Sequence, residues 1–177
     1  LLKPILEELS SHFKTQQIKF YLIGATARDI IMSLYNERSG RATHDLDIAI
    51  AISNWDQYSK VENGILQLKN FTKDNSQKQR FIYKDIFILD IVPYGDIMKQ
   101  DEKIFWPPDE TIAMSVLGFP EVQESVIKVI VDDSFEIEIA TLEGIFLLKL
   151  LAWSDRYEKG NKDADDMGFI INNYLSI

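Results

Sequence analysis

Cysteine is absent from this 177-residue chain, so disulfides and thiolate metal sites are excluded. Histidine occurs only as His12 and His44, too few for a histidine-rich zinc centre. No apolar run approaches the length of a membrane span and no signal peptide is visible, so the expectation is a cytoplasmic protein with no membrane partner. Basic residues are outnumbered, 19 Lys and Arg against 28 Asp and Glu, for a net charge of -9. Such a chain is a poor general binder of nucleic acid and would hold RNA only where its few cations cluster. Internal repeats and low-complexity linkers are also missing. What remains is ordinary globular composition, 46% hydrophobic and 27% charged. The length suits one domain over residues 1–177, with helices at about 141–175 as a small helical appendage.

Periodicity divides the chain into mixed elements. Leu2, Ile5, Leu6, Leu9 and Phe13 predict a helix over 2–14. Ile18 to Ile23 reads as a buried strand that Gly24 breaks, and Ala27, Ile30, Ile31 and Leu34 predict a helix directly after it. A polar loop with Gly40 follows at 36–42, then a strand at 43–50 and a helix at 55–69. Gln79–Tyr83 and Ile86–Val92 read as a hairpin around a tight turn at Lys84-Asp85, ended by Pro93 and Gly95. Residues 94–118 carry no regular pattern. A second hairpin is expected at 126–131 and 135–140 around Asp132-Asp133, then helices at Thr141–Arg156 and about 162–175. Strands mixed with helices and hairpins place the chain in the α+β class with a mixed sheet.

The stretch from Thr43 to Ile50 carries the first chemical signal. Leu46, Ile48 and Ile50 alternate with acids, so Asp45 and Asp47 share the other face of the strand. Two such carboxylates repel unless a cation lies between them, and Mg²⁺ prefers hard carboxylate oxygens. The alternative is a solvated strand face with two surface acids. Asp90 is a third acid, set in the apolar run Phe87 to Val92, where a charge is expensive unless paired or metal-bound. If its strand neighbours that of Asp45 and Asp47, the three carboxylates converge, two to hold metal ions and the third to take a proton from an attacking hydroxyl. Upstream, Gly24 at a strand end lets a ligand approach the backbone, and the helix after it presents free N–H groups to phosphate, with the Thr26 hydroxyl in the first turn.

In the 141–156 helix, Lys149, Ala152, Trp153 and Arg156 share a face, with Leu147, Leu148 and Leu151 opposite. A helix apolar nearly all round is expected to be buried. Lys149 then needs an anion, either a nucleotide phosphate or an acid such as Asp163 or Asp166, unless its ammonium reaches the surface.

Gly24-Ala25-Thr26-Ala27-Arg28-Asp29 followed by Arg41-Ala42-Thr43-His44-Asp45-Leu46-Asp47 resembles the nucleotidyltransferase superfamily that includes DNA polymerase beta and the tRNA CCA-adding enzymes. Val92-Pro93-Tyr94-Gly95, Trp106-Pro107-Pro108, Leu148 to Arg156 and Lys162-Asp163-Ala164-Asp165-Asp166 are similar to the AbiEii/AbiGii toxin-like nucleotidyltransferases, and the likeness runs from about 18 to 174.

This resemblance implies a polymerase-beta-like fold, a mixed sheet flanked by helices, and Mg²⁺- or Mn²⁺-dependent transfer of a nucleoside monophosphate from an NTP to a tRNA or a protein. It further implies a toxin with a cognate antitoxin. Asp45, Asp47 and Asp90 would be the catalytic and metal-binding acids. The substrate-binding set it implies is Gly24, Ala25, Thr26, Arg28, Arg41, Thr43, Lys149, Arg156, Lys162 and Asp163. One departure is Ala25, which stands where the family has a second glycine or a serine, so a phosphate contact there must come from backbone N–H or Thr26. A binding module of the same fold with weak catalysis, or a Mg²⁺-dependent phosphohydrolase using the same acids, are the competing readings.

Overall fold

The computed structural model describes residues 2–37, 45–131 and 135–175. The expected loop around Gly40, the candidates Arg41 and Thr43, and the Asp132-Asp133 turn lie outside them. The described elements are α1 (Leu2–Thr15), β1 (Lys19–Ile23), α2 (Gly24–Leu34), β2 (Asp45–Ile52), α3 (Trp55–Gln67), β3 (Phe71–Lys73), β4 (Arg80–Tyr83), β5 (Phe87–Gly95), β6 (Lys103–Phe105), β7 (Ala113–Ser115), α4 (Phe119–Glu124), β8 (Ile127–Val131), β9 (Phe135–Ile139), α5 (Leu142–Arg156) and α6 (Lys162–Tyr174).

Seven strands form one sheet in the order β3-β4-β5-β2-β1-β9-β8. Strand β2 is central, antiparallel to β1 and parallel to β5, so the sheet is mixed as expected. Its alternation works as the sequence implies: Leu46, Ile48 and Ile50 are fully buried, while Asp45 and Asp47 are only partly so. On α1 the apolar face buries Ile5, Leu6, Leu9 and Phe13, and the helix packs on α3 and β1. Asn54 caps α3 by accepting from the Gln57 N–H, and Thr141 caps α5 by accepting from the Gly144 N–H. Helix α5 pairs with α6 and leans on α2 and α4.

Several expectations need correction. The short β3 lies just after α3, and residues 94–118 contain the β6–β7 pair, with α4 following. Three-residue strands and a six-residue helix are too short for periodicity to register. Strand β5 does not end at Pro93 but runs to Gly95, pairing Pro93 with Ile50 in register. The neighbour β4 stops opposite Asp90, so from Val92 onward β5 is paired on one side only and the missing proline N–H breaks no ladder. The first hairpin turns through three residues, Lys84, Asp85 and Ile86, rather than two. Lys84 and Asp85 both hold positive φ, and the register becomes Tyr83 opposite Phe87 and Arg80 opposite Asp90. Helix α5 is not buried all round either: Leu150 is 41% exposed and Trp153 38%.

Candidate active site

The parallel pairing of β2 with β5 sets Asp47 opposite Asp90, with Asp45 two residues back opposite Ile88. The two strands are neighbours as expected, because both are apolar enough to occupy the sheet centre. Beside them, Gly24 opens α2 with φ +71, and a Cβ there would lie 2.2 Å from Asp47 Oδ2. Left-handed backbone and the carboxylate's closeness both demand glycine at this position. Helix α2 has no side-chain cap at its N-terminus, so its first N–H groups retain donor capacity.

Asp47 is the frustrated group of the site. Its pKa is pushed from the ordinary 3.8 to about 7, first by loss of solvation, then by the negative charges of Asp90 and Asp45, against the pull of Lys149 and Lys162. Asp90 has an answer to its own charge that sequence reasoning missed. Arg80 Nε donates to Oδ1 at 2.9 Å and Nη2 to Oδ2 at 2.8 Å, a two-pronged fork. That hydrogen bonding raises the Arg80 pKa further. Asp45 Oδ2 lies 3.5 Å from Lys162 Nζ. With Asp90 turned onto Arg80 and Asp45 toward Lys162, no three acidic or imidazole side chains among the described residues are gathered closely enough to hold a metal ion. The donor chemistry still fits a hard divalent cation: the groups are all carboxylates, and the electrostatic conflict at Asp47 is the kind a cation relieves.

A second acid pair stands on α6, and its charges are answered by cations. Lys149 Nζ lies 3.2 Å from Asp163 Oδ1 and 2.8 Å from Asp166 Oδ2. Arg156 donates to both oxygens of Asp163, at 2.8 and 3.0 Å. From behind, Arg28 Nη1 donates to Asp166 Oδ1 at 2.8 Å, its guanidinium also paired with Asp29 and lying over the Phe169 ring. Burial pushes both α6 carboxylates up, but the cations outweigh it. Arg156 and Lys149 hold Asp163 below the ordinary range, and Lys149 and Arg28 do the same for Asp166. Among the described residues the partners of Lys149 are these two acids, and its side chain keeps 15% exposure.

A cleft of about 230 Å³ lies between Asp47 and Asp90 on the sheet and Lys149 and Arg156 on α5. Gly24, Asp47, Asp90, Lys149 and Arg156 line it, together with Gln79 and Asp155, which sequence reasoning passed over. Its other end is apolar, with Met114, Leu117, Phe119, Leu148 and Leu151. Leu148 and Leu151 thus share the cleft with Lys149, contrary to the opposite-face expectation, while Trp153 faces solvent. Three other candidates lie away from it. Ala25 is buried, Arg28 is 2% exposed behind Asp166, and the Thr26 hydroxyl is committed to the Asp45 carbonyl at 2.7 Å. Asp163 lies beneath Lys149 and Arg156, and Lys162 guards Asp45. The signal for Arg80 was present: counting the hairpin loop as three residues sets its charge directly against that of Asp90.

The family described as "Nucleotidyl transferase AbiEii toxin, Type IV TA system" matches residues 5–177. No curated protein matches the chain. Among solved structures, the crystal structure of ANT(2")-Ia in complex with adenylyl-2"-tobramycin is similar with a TM-score of 0.55 and 11% identity, over 93% of this chain and 84% of that one. The solution structure of the antibiotic-resistance factor ANT(2'')-Ia is similar with a TM-score of 0.54 and 11% identity, over 98% and 92%. An antigenic nucleotidyltransferase-like protein from Paracoccidioides brasiliensis is similar with a TM-score of 0.55 and 14% identity, over 94% and 73%. At these identities the likeness shows the fold, which is the polymerase-beta-like nucleotidyltransferase fold.

Proposed function

The chain belongs to the AbiEii nucleotidyltransferase toxin family, and from that premise we propose that it moves a nucleoside monophosphate from an NTP to a hydroxyl of a tRNA or a protein, with Mg²⁺ or Mn²⁺, under the restraint of a cognate antitoxin. The observation that carries this reading is the side-by-side placement of Asp47 and Asp90 next to Gly24, facing Lys149 across one cleft. Asp45 and Asp47 are the residues to hold the divalent ion, with Asp90 completing the set. Bound there, the ion would neutralise charge on the reacting phosphate. The backbone N–H groups at the start of α2 bind the triphosphate. Lys149 and Arg156, already held in place by Asp163, offer cationic hydrogen bonds to its oxygens. Asp90 takes the proton from the acceptor hydroxyl. A new bond then forms between that oxygen and the α-phosphorus, the bond from the α-phosphorus to its bridging oxygen breaks, and pyrophosphate leaves.

The test is incubation with each α-labelled NTP, Mg²⁺ or chelator, and a cell extract, followed by RNA and protein gels. Labelled acceptor with released pyrophosphate, lost with chelator and in Asp47→Asn, is the expected result. Release of inorganic phosphate without a labelled acceptor would overturn it in favour of a phosphohydrolase. A second reading, the same fold with weak catalysis serving as a partner module, draws on one observation: the Arg80 fork occupies both oxygens of Asp90. Transfer activity that rises on Arg80→Ala would favour that reading.

A further inference from the structure

A second cavity of about 290 Å³ lies beside the cleft and takes no part in the chemistry above. The chain entering β4 is a wall shared by the two: Gln79 lines the cleft, while Gln77 and Lys78 line the second cavity. Trp55, Tyr58 and Trp106 form its aromatic side. Their ring centroids stand 5.1 Å apart for Trp55–Trp106, 5.2 Å for Tyr58–Trp106 and 5.7 Å for Trp55–Tyr58. Trp106 is 3% exposed, and its Nε1 has no hydrogen-bond partner among the described residues. A buried N–H without an acceptor is an uncompensated loss of solvation, which a ligand acceptor entering beside the ring would relieve.

The polar side of the cavity is uneven in charge. Lys73 is committed, its Nζ 2.7 Å from Glu62 Oε1 and also over the Phe81 ring. Asp74 is turned inward on its own loop, accepting from the N–H groups of Ser76 and Gln77. Lys78 is exposed at the rim and makes no ion pair to a described residue. A packed aromatic wall on which Trp55 is the half-exposed ring, a buried unmatched donor and an exposed lysine near Asp109 at the mouth are the combination that holds an unstacked base and its phosphate.

We propose that this cavity is a stacking site for a nucleobase of a single-stranded RNA acceptor, placing the strand so that it reaches the catalytic cleft across Gln77–Gln79. This rests on the nucleotidyl-transfer reading and adds the chemical class of the acceptor. On a chain of net charge -9, stacking in place of a broad basic surface explains how RNA is held at all.

The test uses the full chain carrying Trp153→Phe, which leaves Trp55 and Trp106 as the only tryptophans, both at the cavity. The probe is a mixed-sequence oligoribonucleotide of about six nucleotides. Saturable quenching of tryptophan fluorescence is expected, with roughly tenfold or weaker binding by an abasic strand of equal length. In the same background Trp55→Leu should weaken binding about tenfold or more and Lys78→Ala about three- to tenfold. Both variants should melt like the parent and bind a nonhydrolysable triphosphate unchanged. Equal binding of abasic and base-bearing strands overturns the proposal, and so does parental RNA affinity in a folded Trp55→Leu protein. Label appearing only on protein in the transfer assay also overturns it, by making the acceptor a protein. Base-dependent quenching with no pyrophosphate release supports the stacking site and overturns the transfer reading instead, so the two failures are distinguishable.

Discussion

One pair of aspartates lines the cleft and another lies beneath its cations, and they are handled in opposite ways. Asp163 and Asp166 on α6 are buried but surrounded by Lys149, Arg156 and Arg28, and their pKa values are held down. Asp47 stands abreast of Asp90 with Asp45 nearby, and its pKa is driven up to about 7. Residues of one type are in one case internal ion-pair partners and in the other an electrostatic conflict. Internal partners order the cleft's cations. Among the described residues no ion pair answers the conflict at Asp47, and a perturbed acid in a cleft is where function is to be sought.

Breaking the satisfied pair should have the largest effect. Arg28→Met removes a cation that is 2% exposed and leaves Asp166 short of a partner; the expected loss is about 3–5 kcal/mol in denaturant unfolding. Parental stability in that variant would mean the α6 network contributes nothing. Breaking the frustrated pair should do the reverse. Asp47→Asn is expected to lower transfer on the order of a thousandfold, about 4 kcal/mol in barrier, while leaving folding intact or improved. Full activity in Asp47→Asn would remove it from the chemistry, and an unfolded variant would make it structural.

The pH dependence sharpens the contrast, because Asp47 and the α6 acids contribute with opposite sign. Asp47 is an acid whose folded pKa is raised, so the folded state holds a proton the unfolded state has lost. Stability from this group therefore falls as pH rises from about 4 to about 7 and is flat above. Thermal melts of Asp47→Asn should match wild type near pH 4 and exceed it by about 1–3 kcal/mol at pH 8. For Asp163 and Asp166 the folded pKa is lowered; their contribution is fully present above the ordinary carboxylate pKa and is lost as pH falls through the lowered one. The smallest effect is expected from Arg80→Ala. That pair is partly exposed, so stability should change by no more than about 1 kcal/mol. Asp90 is freed by the change, and Mg²⁺ should then raise the melting temperature more than in wild type. An unchanged Mg²⁺ response would show that Asp90 lies outside the metal's reach.

Much of the site was legible because strand periodicity is local. The alternation in Asp45 to Ile50 fixes which face the acids take, and a lone acid in the run Phe87 to Val92 stands out against its neighbours. The Arg80–Asp90 fork was not read, because it turns on one residue of loop length. A two-residue turn would set Arg80 against Leu89, whereas the three-residue turn sets it against Asp90. Helix α5 was misjudged because an apolar sequence reports what a side chain prefers and not what is available to cover it. Leu150 and Trp153 remain exposed, Trp153 with the Tyr157 ring 5.8 Å away.

From the sequence alone came the mixed α+β class and the side of the central strand on which Asp45 and Asp47 stand, since both follow from short-range order along the chain, and the family, through the resemblance of its motifs. Only the tertiary structure decided which charges meet. Arg28 reaches Asp166 across 138 positions, Lys149 meets two acids, and among the described residues Asp47 stands beside Asp90 with no ion pair of its own. The physical reason is that charge pairing depends on distance and desolvation, and both are set by how helices and strands pack rather than by the residues' order in the chain.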